Sequence, residues 1–283
     1  MGNSSQEGKG AKVVYTILAF LLSMLIFFFT LLVVLQSTFL NKNFILNEIN
    51  DTNYYADLSS EITEGLIDLG NASGIDESFF TGVVDEITLR ENVSSYIKSF
   101  YSGKNPEIDA SSFKSQLTSK LEQYIKDNNL KVSDEAKAGL DTFIREACDI
   151  YINRIELPYL GLIAGYFHKL LNPVLYVTIA AGILILLIGI IIFATNRWKH
   201  RAHRYLSYSL IGAFLMTVAV PVLIYLIDKI DKLALRSQAL FSLYYTCVTS
   251  FLNSFFLAAA ILALLSALFI FLHSKSRRRA IRG

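Results

Sequence analysis

Cysteine is scarce, two residues in 283, and neither a CxxC pair nor a Cys/His metal spacing occurs, so the chain offers no disulfide scaffold and no zinc module. Charge is also scarce. Only 18% of residues are Asp, Glu, Lys or Arg against 53% apolar, and the mean hydropathy is +0.44. These values exclude a disordered chain and argue against a purely water-soluble enzyme. Common catalytic signatures are missing: there is no HExxH, no GxSxG, no GxxxxGK followed by Ser or Thr, and no GxGxxG. Acidic side chains are absent from most of the chain, because 21 of the 24 Asp and Glu lie between Lys42 and Lys169, with 12 of the 26 Lys and Arg. That block has a net charge of −9 inside a chain whose formal net charge is +2.

Long uncharged apolar runs are what remains. Residues 13–35 form the first, longer than the roughly 20 residues a helix needs to cross the hydrocarbon layer, and longer than the core of a cleavable signal peptide. Residues 170–196, 205–227 and 237–274 meet the same length test, the last with its strongest core at 251–272. The expectation is an all-α chain: a four-helix transmembrane bundle with a helical extracytoplasmic domain inserted between the first and second spans. The expected spans are 13–39, 172–196, 205–227 and 250–273.

Lys and Arg near span ends are retained on the cytoplasmic side. The segment 197–204 has four cations and no acid, and the tail 274–283 has five cations. Both are therefore expected inside, together with residues 1–12, which places 40–171 and the short segment 228–249 outside. The N-terminal Met-Gly-Asn-Ser-Ser departs from the myristoylation pattern, with Gln6 where Ser or Thr is required. Asn50, Asn71 and Asn92 begin triplets of the glycosylation type, although chance triplets in an Asn- and Ser-rich segment are the more economical reading.

The external segment has helical periodicity. Tyr55, Leu58, Ile62, Leu66 and Leu69 share one stripe, while Asp57, Glu61, Glu64 and Asp68 fall on a face away from it, with Gly70-Asn71 as the expected stop. Ile75-Asp76 before Phe80 and Ile108-Asp109 before Phe113 share one construction, an Asp cap with a hydrophobic staple. Later stripes are Val93, Tyr96, Ile97 and Phe100, then Phe113, Leu117 and Leu121. After a cap at Ser133 follow Leu140, Phe143, Ile144, Ala147 and Tyr151, up to a stop at Pro158. Residues 159–171 are apolar and are expected at the membrane surface, with Pro173 admitting the second span.

Candidate functional residues are few. The acidic face Asp57, Glu61, Glu64 and Asp68 is the candidate partner-binding surface, with a solvated helix face as the plainer reading. Ala259, Ala263 and Ala267 are a candidate helix-packing face, for the bundle itself or for a homo-oligomer or partner membrane protein. Cys148 and Cys247 are a candidate disulfide pair if both face the oxidising side, or two small apolar residues otherwise. His200 and His203 have a metal-like spacing, but the surrounding cations would repel a divalent ion. No cofactor, metal or nucleic acid is expected. The lipid bilayer and other membrane or envelope proteins are the expected partners.

The order of span, large external domain, span, span, short external segment and span resembles FtsX- and MacB-type permease subunits, which pass a cytoplasmic ATPase's motion to an external domain. A transport accessory or pore subunit is the second expectation, with Thr178, Thr217, Ser250, Asn253 and Ser254 either as polar lining of a path or as ordinary interhelical hydrogen bonders. Those permeases carry a long cytoplasmic segment between the second and third spans, where this chain has the eight residues 197–204. The leading expectation is a non-catalytic membrane protein whose external domain binds, senses or scaffolds. A membrane enzyme working through Asp85 and Glu86 ranks last, since adjacent helix positions point apart.

Overall fold

The computed structural model describes residues 9–129, 133–157, 160–196, 198–227 and 237–282. It is all-helical, 88% helix with no strand among the described residues. In chain order come α1 (Lys9–Ser37), α2 (Lys42–Asp51), α3 (Tyr54–Ser73), a 3-10 turn (Glu77–Phe80), α4 (Glu86–Tyr101), α5 (Ser111–Asp127) and α6 (Asp134–Ile155). They are followed by α7 (Leu160–Thr195), α8 (Lys199–Ile227) and α9 (Gln238–Arg282). Four helical stretches are long and apolar enough to cross a membrane: α1, α8, α9 and the stretch Ala136–Thr195, whose uncharged part belongs to α7. The expected stop at Pro158, residues 1–8 and the turn at 228–236 lie outside the described residues.

The chain divides into two compact units. Unit 1 takes residues 1–41, 172–232 and 248–283; unit 2 takes 42–171 and 233–247.

In unit 1, α1 and α8 run parallel in close contact. Tyr15 meets Tyr205 at 5.4 Å between ring centroids, the Ser209 hydroxyl donates to the Ala19 carbonyl at 2.8 Å, and a Cβ on Gly212 would collide with the Ser23 hydroxyl oxygen. Small side chains make that approach feasible. α7 runs antiparallel to α1, since Tyr15 donates to the Thr195 carbonyl while Gln36 donates to the Thr178 hydroxyl oxygen at 2.5 Å. α9 is antiparallel to α8: His203 stacks near Phe269 at one end and Tyr225 near Phe256 towards the other. The alternating directions bring the cations that open α8 and close α9 to one end of the unit, where His273 Nδ1 lies 2.6 Å from the His200 carbonyl. Pro173 and Pro221 both lie inside helices, so neither terminates its span. The helix that contains Pro173 begins 13 residues earlier, at Leu160.

Unit 2 is organised around a continuous apolar core. Leu58, Ile62 and Leu66 of α3 are fully buried, as are Leu89, Val93 and Tyr96 of α4, Phe113 and Leu117 of α5, and Ala147 and Tyr151 of α6. Phe113 stacks on Tyr151 at 4.5 Å and 9°. Asp85 caps α4 by accepting from the Thr88 amide at 2.8 Å, and Ser133 caps α6 through the Ala136 amide.

Three expectations are corrected in this unit. Asp76 does cap, but the element it starts is the single 3-10 turn, and α4 has its own cap nine residues later. Asp109 receives the Ser111 amide at 2.9 Å from one position before the N-cap, Ala110. α3 does not stop at Gly70-Asn71. It runs to Ser73 and ends on Gly74, whose φ of 74° is the left-handed cap. Gly70 serves a different purpose, because a Cβ there would overlap the Phe80 ring.

From residues 160–171, Leu160, Ala164 and Phe167 join the core of unit 2, while Leu162, Tyr166 and Leu170 are exposed. Ala164 is buried, Phe167 packs on Phe100 at 4.8 Å, and His168 Nδ1 lies 3.0 Å from the Tyr101 carbonyl. Gly103, with φ 72°, leaves room for that imidazole.

Candidate functional site

The acidic face of α3 is the site the sequence singles out, and the structure divides it. Asp57 and Glu61 are half-buried; Glu64 and Asp68 are exposed. The covering element is the first part of α9, which the sequence gives no periodic reason to place against α3. Ser237 Oγ and the Ala239 amide both donate to Glu61 Oε1 at 3.0 Å, and the Leu240 amide donates to Ser237 Oγ at 3.1 Å. The opening turn of α9 is thus capped twice, by its own serine and by a carboxylate 176 positions upstream. A carboxylate at a helix N-terminus satisfies amides that have no partner within the helix and opposes the positive end of the helix dipole.

Arg154 approaches Glu61 Oε2 at 3.9 Å, an atom that is buried and makes no hydrogen bond. Asp57 accepts from Ser242 Oγ at 3.5 Å, one turn further along α9. Ala239, fully buried, closes the core beneath these contacts, with Leu240 and Leu243 packed beside it. Burial of Tyr54 on the same helix pushes its phenol well above the ordinary tyrosine range, and the nearby Glu61 carboxylate adds to that shift. What stays open for a partner is the pair Glu64 and Asp68, one helical turn apart.

The remaining candidates are placed separately. Ala259 is buried, Ala263 half-buried and Ala267 exposed, so the stripe leaves the helix contact as α9 proceeds. The tight small-residue seam lies elsewhere, at Ala19, Ser23, Ser209, Gly212 and Ala213 of α1 and α8. Its signal in the sequence is a set of small residues at helical spacing in the first and third spans. Cys148 and Cys247 are both free thiols. Cys148 has Lys114 and Asp149 as charged neighbours, and its thiol is pushed up by burial; Cys247 lies near Tyr101 and Glu48.

Asp85 and Glu86 are both committed locally, Asp85 to the α4 cap and Glu86 to Arg90 at 2.9 Å. Thr178, Thr217 and Ser254 donate to carbonyls one turn back in their own helices. Among the glycosylation triplets, Asn92 Nδ2 is occupied, donating to the Asp109 carbonyl and to the Tyr151 hydroxyl, each at 3.0 Å. No group of His, Cys, Asp or Glu able to hold a metal ion occurs among the described residues.

The site can therefore accept hydrogen bonds and cations on an open acidic pair beside a helix-capping carboxylate. No family model, no curated protein and no solved structure matches the chain, so the permease resemblance rests on the order of its spans alone.

Proposed function

We propose that the chain is a non-catalytic integral protein of the plasma membrane, with both termini in the cytoplasm. Residues 43–169 would then lie outside the cell, where the helical domain binds, senses or scaffolds other membrane or envelope components. The observation that carries this reading is the separation of charge between two differently built units. Unit 1 gathers Lys199, Arg201, Arg204, Lys275 and Arg277 at one end of its helices and has no Asp or Glu in 9–41, 172–227 or 248–283. Unit 2 keeps a complete apolar core and an acidic exterior. Cations at one set of span ends orient a membrane protein, and a stable module with open carboxylates suits recognition. A transport role has less support, because Thr178, Thr217 and Ser254, three of the five polar side chains that would line a path, commit their hydroxyls to neighbouring carbonyls.

A protease site inserted after Lys104, an exposed position, tests the sidedness. Cleavage by protease added to intact cells is expected; cleavage only after the bilayer is opened would reverse the orientation. Photo-crosslinkers at Glu64 and Asp68 then test the recognition surface, with adducts to envelope proteins as the expected result.

A further inference from the structure

Between α1, α7, α8 and α9, unit 1 contains a cleft of about 570 Å3, within the roughly 300–1,000 Å3 that small-molecule sites occupy. Its walls are apolar, among them Leu22, Ile185, Leu206 and Phe269. Gly189 widens it, since nothing stands within 4 Å of a Cβ at that position. One polar group reaches the cleft. The His203 ring is set between Phe193 and Phe269, with centroids 5.6 and 5.9 Å away, and its Nδ1 is buried without a hydrogen-bond partner. Buried polar atoms normally have partners.

Lys199, Lys275 and Arg277 belong to the same end of the unit, and residues 9–41, 172–227 and 248–283 contain no Asp or Glu. Among the described residues of unit 1 there is therefore no carboxylate side chain to complete this site. A hydrocarbon-lined cleft under a cationic mouth is complementary to an amphiphile with an anionic head, and basic pockets between membrane helices are a known form of lipid-headgroup site. A protein partner would require a continuous face rather than a recess between four helices.

We infer that this cleft holds an acyl chain of one anionic phospholipid, whose headgroup phosphate is met by His203. The inference rests on the membrane reading above and adds a specific lipid to it.

The test uses the full chain reconstituted in vesicles of phosphatidylcholine and phosphatidylglycerol in equal parts, re-extracted in mild detergent and weighed by native mass spectrometry. One retained phospholipid per chain is expected, with phosphatidylglycerol preferred. Gly189→Leu, which the open space admits, should abolish retention with helix content unchanged by circular dichroism. His203→Gln should keep a lipid but weaken the preference about fivefold. Equal retention of both lipids, retention that survives Gly189→Leu, an empty cleft, or a lipid-free dimer would each overturn the inference. Alkaline carbonate separates the two readings: a chain washed off the vesicles refutes membrane insertion itself, whereas a chain that stays but carries no lipid refutes only the site.

Discussion

The two units bury different mixtures of side chain. Unit 2 hides large residues, Phe80, Tyr96, Phe113 and Tyr151 among them, and turns its charges outward. Unit 1 buries Leu22, Ile192 and Phe255 too, but adds hydroxyls and an amide to them. Among the described residues, the nine buried Ser, Thr and Asn side chains, from Ser23, Thr30 and Thr38 to Ser266, all lie in unit 1, while Leu186, Leu226, Leu257 and Leu264 stand on its surface with about two-thirds or more of their area open. In water such an exterior would drive association. In lipid it costs nothing, and helices then gain most from close approach through small residues and from hydroxyls returned to their own backbone. Lipid around unit 1 and water around unit 2 would account for both patterns with the same burial physics.

Phe113→Ala should cost unit 2 about 3–5 kcal/mol, read by thermal or chemical unfolding. A second test makes one change on two surfaces. Leu264 and Ile87 are 73% and 70% exposed, one in each unit. Leu264→Asp should cost about 2.5–3.5 kcal/mol in membrane insertion, whereas Ile87→Asp should stay within about 0.5 kcal/mol in unfolding. Equal, small effects would mean that unit 1 does not face lipid.

Gly212→Val should destabilise the α1–α8 seam by about 1–3 kcal/mol, measured by unfolding in detergent, because the added Cβ meets the Ser23 hydroxyl oxygen. Glu61→Ala should cost about 0.5–2 kcal/mol, with hydrogen exchange accelerated first at the Ala239 amide. No acceleration there would show that Ser237 caps α9 alone.

The smallest effect concerns pH. Asp76, Asp85 and Asp109 are held below the ordinary aspartate range by hydroxyl and amide donors from Ser78, Thr88 and Ser111. A depressed folded pKa means that the stabilisation is complete above the unfolded value, about 3.9, and is lost as pH falls through the lower folded value. Unit 2 should therefore lose a little stability below about pH 4. Asp85→Asn, which still caps, should flatten part of that slope. A slope unchanged by the substitution would mean that Asp85 does not contribute to it.

The spans are legible in the sequence because an uncharged apolar run longer than about 20 residues rarely forms anything but a helix in lipid. The stripes of α3 to α6 are legible for a similar reason: Leu58, Ile62 and Leu66 recur at a helical period, and water and core select opposite faces. The acidic face is legible only as a pattern. Helical period places Asp57 and Glu61 away from the α3 core, but it cannot report that α9 arrives from far along the chain to cover them. Gly70 misleads for a related reason, since a glycine chosen for space beside Phe80 looks the same in sequence as one chosen for a left-handed turn. The small-residue seam is harder to see because the alanines of α9 are spaced more regularly than the mixed Ala, Ser and Gly of α1 and α8.

The closure of unit 2 by Ser237, Ala239 and Leu240 also bears on biogenesis. The ribosome completes residue 171 and must then make roughly 65 more residues before the segment that seats on Glu61 exists, an interval of several seconds at about 5–20 residues per second. Throughout that time the module is an unfinished fold with its α3 side uncovered, so its maturation waits for the last helix of the polypeptide to be delivered. A truncation that removes α9 would thus release an immature domain along with a shortened bundle.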